Sequence, residues 1–157
     1  MVYDPTLATP VTGTTISVAE FGAKVVANIQ ALASPTATIE VFGPTTNTAT
    51  GDGKKYIPIQ NPNLAGMVLK AVHAYVITAG VTGTTDIQIH NVTDAVDMLS
   101  TKLTIDSGET GSETAATAAV INTATDDVAV NDVLRIDIDD ISDTAAKGLY
   151  VTLRFGF

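Results

Sequence analysis

From residue 37 onward, the segments between turn residues carry apolar side chains with a period of two in place of the helical 3.6, and that period limits the fold more than any other feature of the chain. A period of two sends successive side chains to opposite faces of a strand, whereas a helix needs spacings of three and four. The alternation is cleanest in two segments. Over 149–157, Leu149, Val151, Leu153, Phe155 and Phe157 share one face, and Tyr150, Thr152 and Arg154 the other. Over 133–141, Leu134, Ile136 and Ile138 oppose Val133, Arg135, Asp137 and Asp139, so an acidic outer stripe backs an apolar inner one. One wet face per strand is the mark of antiparallel pairing.

Strands are expected near 37–43, 54–60, 66–79, 84–91, 96–106, weakly near 117–122, then 132–141 and 147–157, about eight in all. The breaks carry turn residues, among them Gly43-Pro44, Gly51-Asp52-Gly53, Asn61-Pro62-Asn63, Ser107-Gly108 and Lys147-Gly148. Residues 108–132 read as a long connection between sheets, with room for a single helical turn. Thr accounts for 25 of the 157 residues. Its β-branched, hydrogen-bonding side chain favours pleated sheet with polar, weakly charged faces. The expected fold is mainly β, either an antiparallel β-sandwich of jelly-roll type or a barrel, spanning residues 36–157.

Residues 1–35 read differently. The first thirteen have little periodicity and suit an arm. Ser17 and Glu20 then form a capping box, and Val18, Phe21, Val25, Ile29 and Leu32 follow at helical spacing until Ser34-Pro35 ends the run. This seam has two uses: it covers an open end of the sandwich, or it pairs with copies of itself in an oligomer.

The chain carries 17 acidic against 8 basic residues, a formal charge of −9. Thirteen of the acids lie after residue 78, where they would repel a phosphate backbone, and no basic stripe offsets them. Nucleic acid is therefore not an expected partner. No cationic start precedes an apolar run, and no stretch approaches the roughly 20 apolar residues of a membrane span, so the expectation is a protein made in a cytoplasm with no membrane contact. Without Cys there are no disulfides, thiolate metal sites or Cys nucleophiles.

Few residues offer chemistry. His73 and His90 are the two histidines, both inside expected strands, and no Ser sits in a Gly-x-Ser-x-Gly setting. Asp137, Asp139, Asp140 and Asp143 could meet around a hard cation such as Ca²⁺, but the segment lacks the Gly and terminal Glu of an EF-hand, and a solvated strand face with Arg135 as counterion accounts for it. Asp52-Gly53-Lys54-Lys55 lacks phosphate-loop spacing and reads as a hairpin tip. Asn91-Val92-Thr93 matches a glycosylation sequon, which has little meaning in a chain with no visible export signal. The expectation is no catalytic residue, no cofactor and no metal site.

Residues 83–94 (GTTDIQIHNVTD) and 97–106 (DMLSTKLTID) resemble segments of small structural proteins of tailed bacteriophages, as do 128–139 (VAVNDVLRIDID) and 147–155 (KGLYVTLRF). The likeness spans roughly 56–157, and the helix beginning at Val18 is similar to the attachment segment that opens many fibre and decoration proteins. The resemblance implies a β-sandwich virion protein, commonly a homotrimer, with no family active site to carry over. Two functions follow from it. One is a non-enzymatic capsid decoration or cement protein that binds the major capsid protein through its arm and helix. The other is a head-fibre or tail-fibre domain that binds a host receptor or glycan through residues 45–53 or 79–85, with Tyr75 and Tyr150 as candidate stacking groups. A polysaccharide hydrolase lacks a defensible acid pair.

Overall fold

Each clear alternation forms a strand. The structure is a computed structural model that describes residues 34–157 together with Ala19 and Val25. Eleven strands are present among the described residues: β1 (Thr36–Glu40), β2 (Gly51–Pro58), β3 (Met67–Thr78), β4 (Thr85–Asn91), β5 (Val96–Asp97), β6 (Leu99–Thr101), β7 (Leu103–Ile105), β8 (Val120–Ile121), β9 (Asp127–Val128), β10 (Val133–Asp140) and β11 (Lys147–Gly156). They form one sheet in the order β1-β11-β3-β9 and a second in the order β2-β10-β4-β5, with β7 also on β4 and a separate ribbon of β6 and β8.

Every pairing is antiparallel, and the pairings are nested. β1 lies against β11, β2 against β10, β3 against β9, and β4 against β5 and β7. The second half of the chain thus returns along the first in reverse order. The inward faces of both sheets contribute to a single core. Leu69, Val72, Ala74 and Val76 of β3 and Leu149, Val151, Leu153 and Phe155 of β11 join Ile87 and Ile89 of β4 and Leu134, Ile136 and Ile138 of β10. Each fully buried Leu or Ile contributes roughly 1.5–3 kcal/mol from area removed from water. Leu69 and Val72 both face inward although three residues apart. A bulge opposite Arg154 and Phe155 takes up the extra residue and resets the register.

Three expectations need correction. The strand count rises from about eight to eleven chiefly because 96–106 is not one strand. Met98 and Leu99 are both buried, and adjacent side chains of a regular strand cannot face the same way. The chain therefore leaves β4 after Asp97, pairs with β8, and returns to β4 as β7. Two-residue β9 was not expected at all. The acidic stripe of β10 is also incomplete, because Asp137 is buried with only 4% exposure. The tip of β2 curls over it, and the Gly53 N–H donates to Asp137 Oδ1 at 2.7 Å. Finally, Phe157 continues the inward alternation of β11 yet is 37% exposed, since β11 ends at Gly156. The arm and helix lie outside the described residues, as do Val18, Phe21, Ile29 and Leu32; of that seam only Val25 is described.

Candidate functional site

The strand directions give the molecule two unlike ends. At one end the chain enters through Ser34 and Pro35, and the Phe155 N–H donates to Pro35 O at 2.9 Å. The same end holds the turns after β2, β4 and β9, tied together by Ile59 N–H to Asp132 O and Asn131 N–H to Ile59 O, both 2.8 Å, and by Val92 N–H to Val133 O at 2.9 Å. Here Asn91 and Asp132 are buried. The Asn91 amide donates to Asp132 Oδ2 at 3.1 Å and to Asp94 Oδ2 at 2.8 Å, so the sequon asparagine is spent inside a polar network.

At the opposite end the connections 41–50, 79–84, 106–111 and 141–146 converge. Thr48 N–H donates to Ala146 O at 2.8 Å, and Val81 and Thr144 exchange two backbone hydrogen bonds of 3.0 and 3.1 Å. Gly108 N–H reaches Gly80 O at 2.9 Å, and Thr82 N–H reaches Ser107 Oγ at 2.8 Å. The two segments singled out from sequence, 45–53 and 79–85, therefore stand at one end, both braced against the β10–β11 connection. Gly148 sits beneath them at φ +69°, and a Cβ there would lie 2.6 Å from Ile77 Cγ1 and 2.9 Å from Pro44 Cα.

A second surface is the outer face of the β1-β11-β3 sheet. Its cross-strand register sets out three rows: Thr36, Arg154 and Ala71; Thr38, Thr152 and His73; Glu40, Tyr150 and Tyr75. Tyr75 and Tyr150, which sequence could not place together, are direct cross-strand partners, a relation that holds Cβ atoms about 5 Å apart. Tyr75 is 50% exposed. The Tyr150 hydroxyl donates to Glu40 Oε2 at 2.9 Å, which raises its pKa because ionisation would set phenolate against carboxylate. Thr38 and Thr152 hydroxyls meet at 3.0 Å. Beyond β3, segment 110–112 takes the strand edge through Val76 N–H to Thr110 O and Ala74 N–H to Ser112 Oγ. This brings Glu113 Oε1 within 3.5 Å of His73 Nδ1. An open cleft of about 520 Å³ continues from there, with Lys70, His73, Ser112 and Glu113 at polar positions and Val72, Leu103, Ala119 and Ile121 among its apolar lining.

The four aspartates go separate ways. Asp137 accepts from Arg135 Nε at 3.0 Å and from its terminal nitrogen at 2.7 Å, a hydrogen bond that raises the guanidinium pKa further. Asp139 pairs with Lys102 at 2.8 Å, which likewise raises the ammonium pKa. Asp140 accepts from the N–H of Ile141, and the Asp143 N–H donates to Thr82 O. Among the described residues no three His, Cys, Asp or Glu side chains converge as metal ligands would. His90 meets Asp97 at 2.7 Å across β4 and β5. Among the described residues no Ser or Thr hydroxyl hydrogen-bonds either imidazole, and no described helix is long and apolar enough to cross a membrane. No protein-family model, curated protein or solved structure matches the chain.

Proposed function

We propose that this chain is a non-enzymatic virion structural protein of the capsid-decoration type, attached to the shell through residues 1–32 and presenting a jelly-roll β-sandwich outward as a homotrimer. The observation that carries the reading is the opposition of the two ends. Residues 1–33 join at Ser34, while four mutually braced connections gather at the far end. A protein that grips a lattice at one pole and faces solvent at the other needs that arrangement, and repetition on the lattice lets a modest contact hold through avidity.

The nested pairing supports the jelly-roll part. With β5, β6 and β7 taken as one interrupted strand and β8 as an added ribbon partner, eight strands remain. In chain order they pair first with eighth, second with seventh, third with sixth and fourth with fifth, which is a long hairpin rolled into two sheets. The trimer rests on the resemblance to phage structural proteins. The test is co-sedimentation with capsids stripped of this protein. Full-length chain is expected to pellet with them, and a version beginning at Pro35 to stay folded in the supernatant. Equal pelleting of both would place the docking surface on the sheets.

The same polarity favours a second reading, a fibre head whose far-end connections meet a host receptor. Particle imaging separates the two, since a fibre head extends from a stalk and a decoration protein lies on the shell.

A further inference from the structure

We infer that the outer face of the β1-β11-β3 sheet is a carbohydrate-binding surface, on which Tyr75 and Tyr150 stack the apolar side of a pyranose unit of a neutral polysaccharide. The inference deepens the glycan-binding alternative, in which Tyr75 and Tyr150 are the candidate stacking groups, and moves its site from the far-end connections to a sheet face; it does not depend on attachment to a capsid. A pyranose has a C–H face that packs on an aromatic ring and a rim of hydroxyls that need partners. The face offers both. Two tyrosines lie side by side across β3 and β11, and around them stand Glu40, Thr38, Thr152, His73 and Glu113, whose oxygens and imidazole accept or donate hydrogen bonds.

The platform is also fixed before any ligand arrives. Glu40 holds the Tyr150 hydroxyl, and β3 is paired on one side by β11 and pinned on the other by Thr110 and Ser112. Groups already held in place lose little freedom on binding, which favours affinity. The cleft beside His73 continues the surface, so a chain of sugars has room beyond the stacked unit.

Charge narrows the ligand to a neutral one. On a molecule of net charge −9, Glu40 and Glu113 on this surface are balanced by Arg154 and Lys70, so it presents no excess of either sign. An acidic polysaccharide or a nucleic acid would find no excess of positive charge on this surface to offset the repulsion of the molecule's net charge of −9. A protein partner fits less well. Stable protein interfaces cover about 800 Å² per side around an apolar centre, whereas the tyrosine pair is bordered by Glu, Thr and His along its rows, with Ile77 an exposed aliphatic neighbour among the described residues and Val120 farther off in the cleft.

The chain has no Trp and four Tyr, two of them in the platform, so those ligand-dependent changes in tyrosine emission that Tyr75→Phe alters, and Tyr56→Phe leaves alone, report on the platform. The full-length protein is titrated with six-unit oligomers of β-1,4-glucose, α-1,4-glucose and β-1,4-N-acetylglucosamine, and with an oligogalacturonate, by calorimetry and tyrosine fluorescence. At least one neutral oligomer is expected to bind saturably with Kd on the order of 1 mM or tighter. Tyr75→Ala is expected to weaken it about tenfold or more, while Tyr75→Phe, which keeps the ring, and Tyr56→Ala, an exposed tyrosine on the other sheet, leave it nearly unchanged. Tyr75 is half exposed, so the variants are expected to keep the parent melting temperature. No saturable binding of any neutral oligomer, equal binding by Tyr75→Ala, or tighter binding of the oligogalacturonate would each overturn the inference.

Discussion

At the residue scale, one carboxylate separates what alternation reveals from what it hides. Asp137 and Asp139 look equivalent in sequence, two residues apart on one face of β10. Yet Asp137 is enclosed by Arg135 and the Gly53 amide, and Asp139 faces Lys102 with 30% of its side chain exposed. Periodicity assigns a face; it does not say what folds over that face. Asp137→Asn is therefore expected to cost about 1–3 kcal/mol, because it removes the charge of a buried carboxylate that accepts from the Arg135 guanidinium. Asp139→Asn should cost less than about 1 kcal/mol, as exposed pairs do. Urea unfolding of the two variants distinguishes them, and equal costs would mean that the β2 tip does not close over Asp137. On the opposite sheet, the hydrogen bond from Tyr150 to Glu40 lifts the phenol above its ordinary value of about 10. A raised pKa contributes stability that is complete below that value and is lost as pH climbs through the folded-state pKa. Glu40→Gln should bring the Tyr150 ionisation down toward the ordinary range, read as phenolate absorbance during alkaline titration. An unchanged titration would contradict the bond.

At the element scale, the long strands were legible because each buries one face. The inward set of β11 from Leu149 to Phe155 and that of β10 from Leu134 to Ile138 were read correctly, residue by residue. Leu153 is fully buried, so Leu153→Asp should cost several kcal/mol and leave little folded protein at room temperature; a near-parental urea midpoint would reverse the face assignment. What escaped were elements set by tertiary contact. β9 is two residues long and exists because Asp127 and Val128 meet Val68 and Met67, too short a run for any period to show. The break at Met98 was written in two adjacent apolar residues, but only the covering ribbon of β6 and β8 makes burial of both possible. Gly148 marks the start of β11 at a positive φ, where a Cβ would press on Ile77 and Pro44. Gly148→Ala should lower stability by about 2 kcal/mol or more from backbone strain and overpacking together, measured by thermal or urea melting. A neutral substitution would show that the connections above it are looser than drawn.

At the scale of the whole molecule, the organising fact is that a nested antiparallel fold sorts its connections. With β5, β6 and β7 counted as one strand and β8 set aside, successive strands run in opposite directions, so the connections alternate between ends, and the segment that precedes β1 must join opposite the β1–β2 turn. Sequence showed neither the convergence of 45–53 with 79–85 nor the pairing of Tyr75 with Tyr150, because both depend on which strands become neighbours. It did show a change of character near residue 35, and the proposed attachment by one pole grows from that change. Cryo-electron microscopy of particles carrying this protein tests the attachment most directly. The account predicts three copies clustered on the outer shell, with Ser34 toward the capsid surface and the connections 41–50 and 141–146 pointing to solvent. Density with those connections against the shell, or found only at the tail, would contradict it.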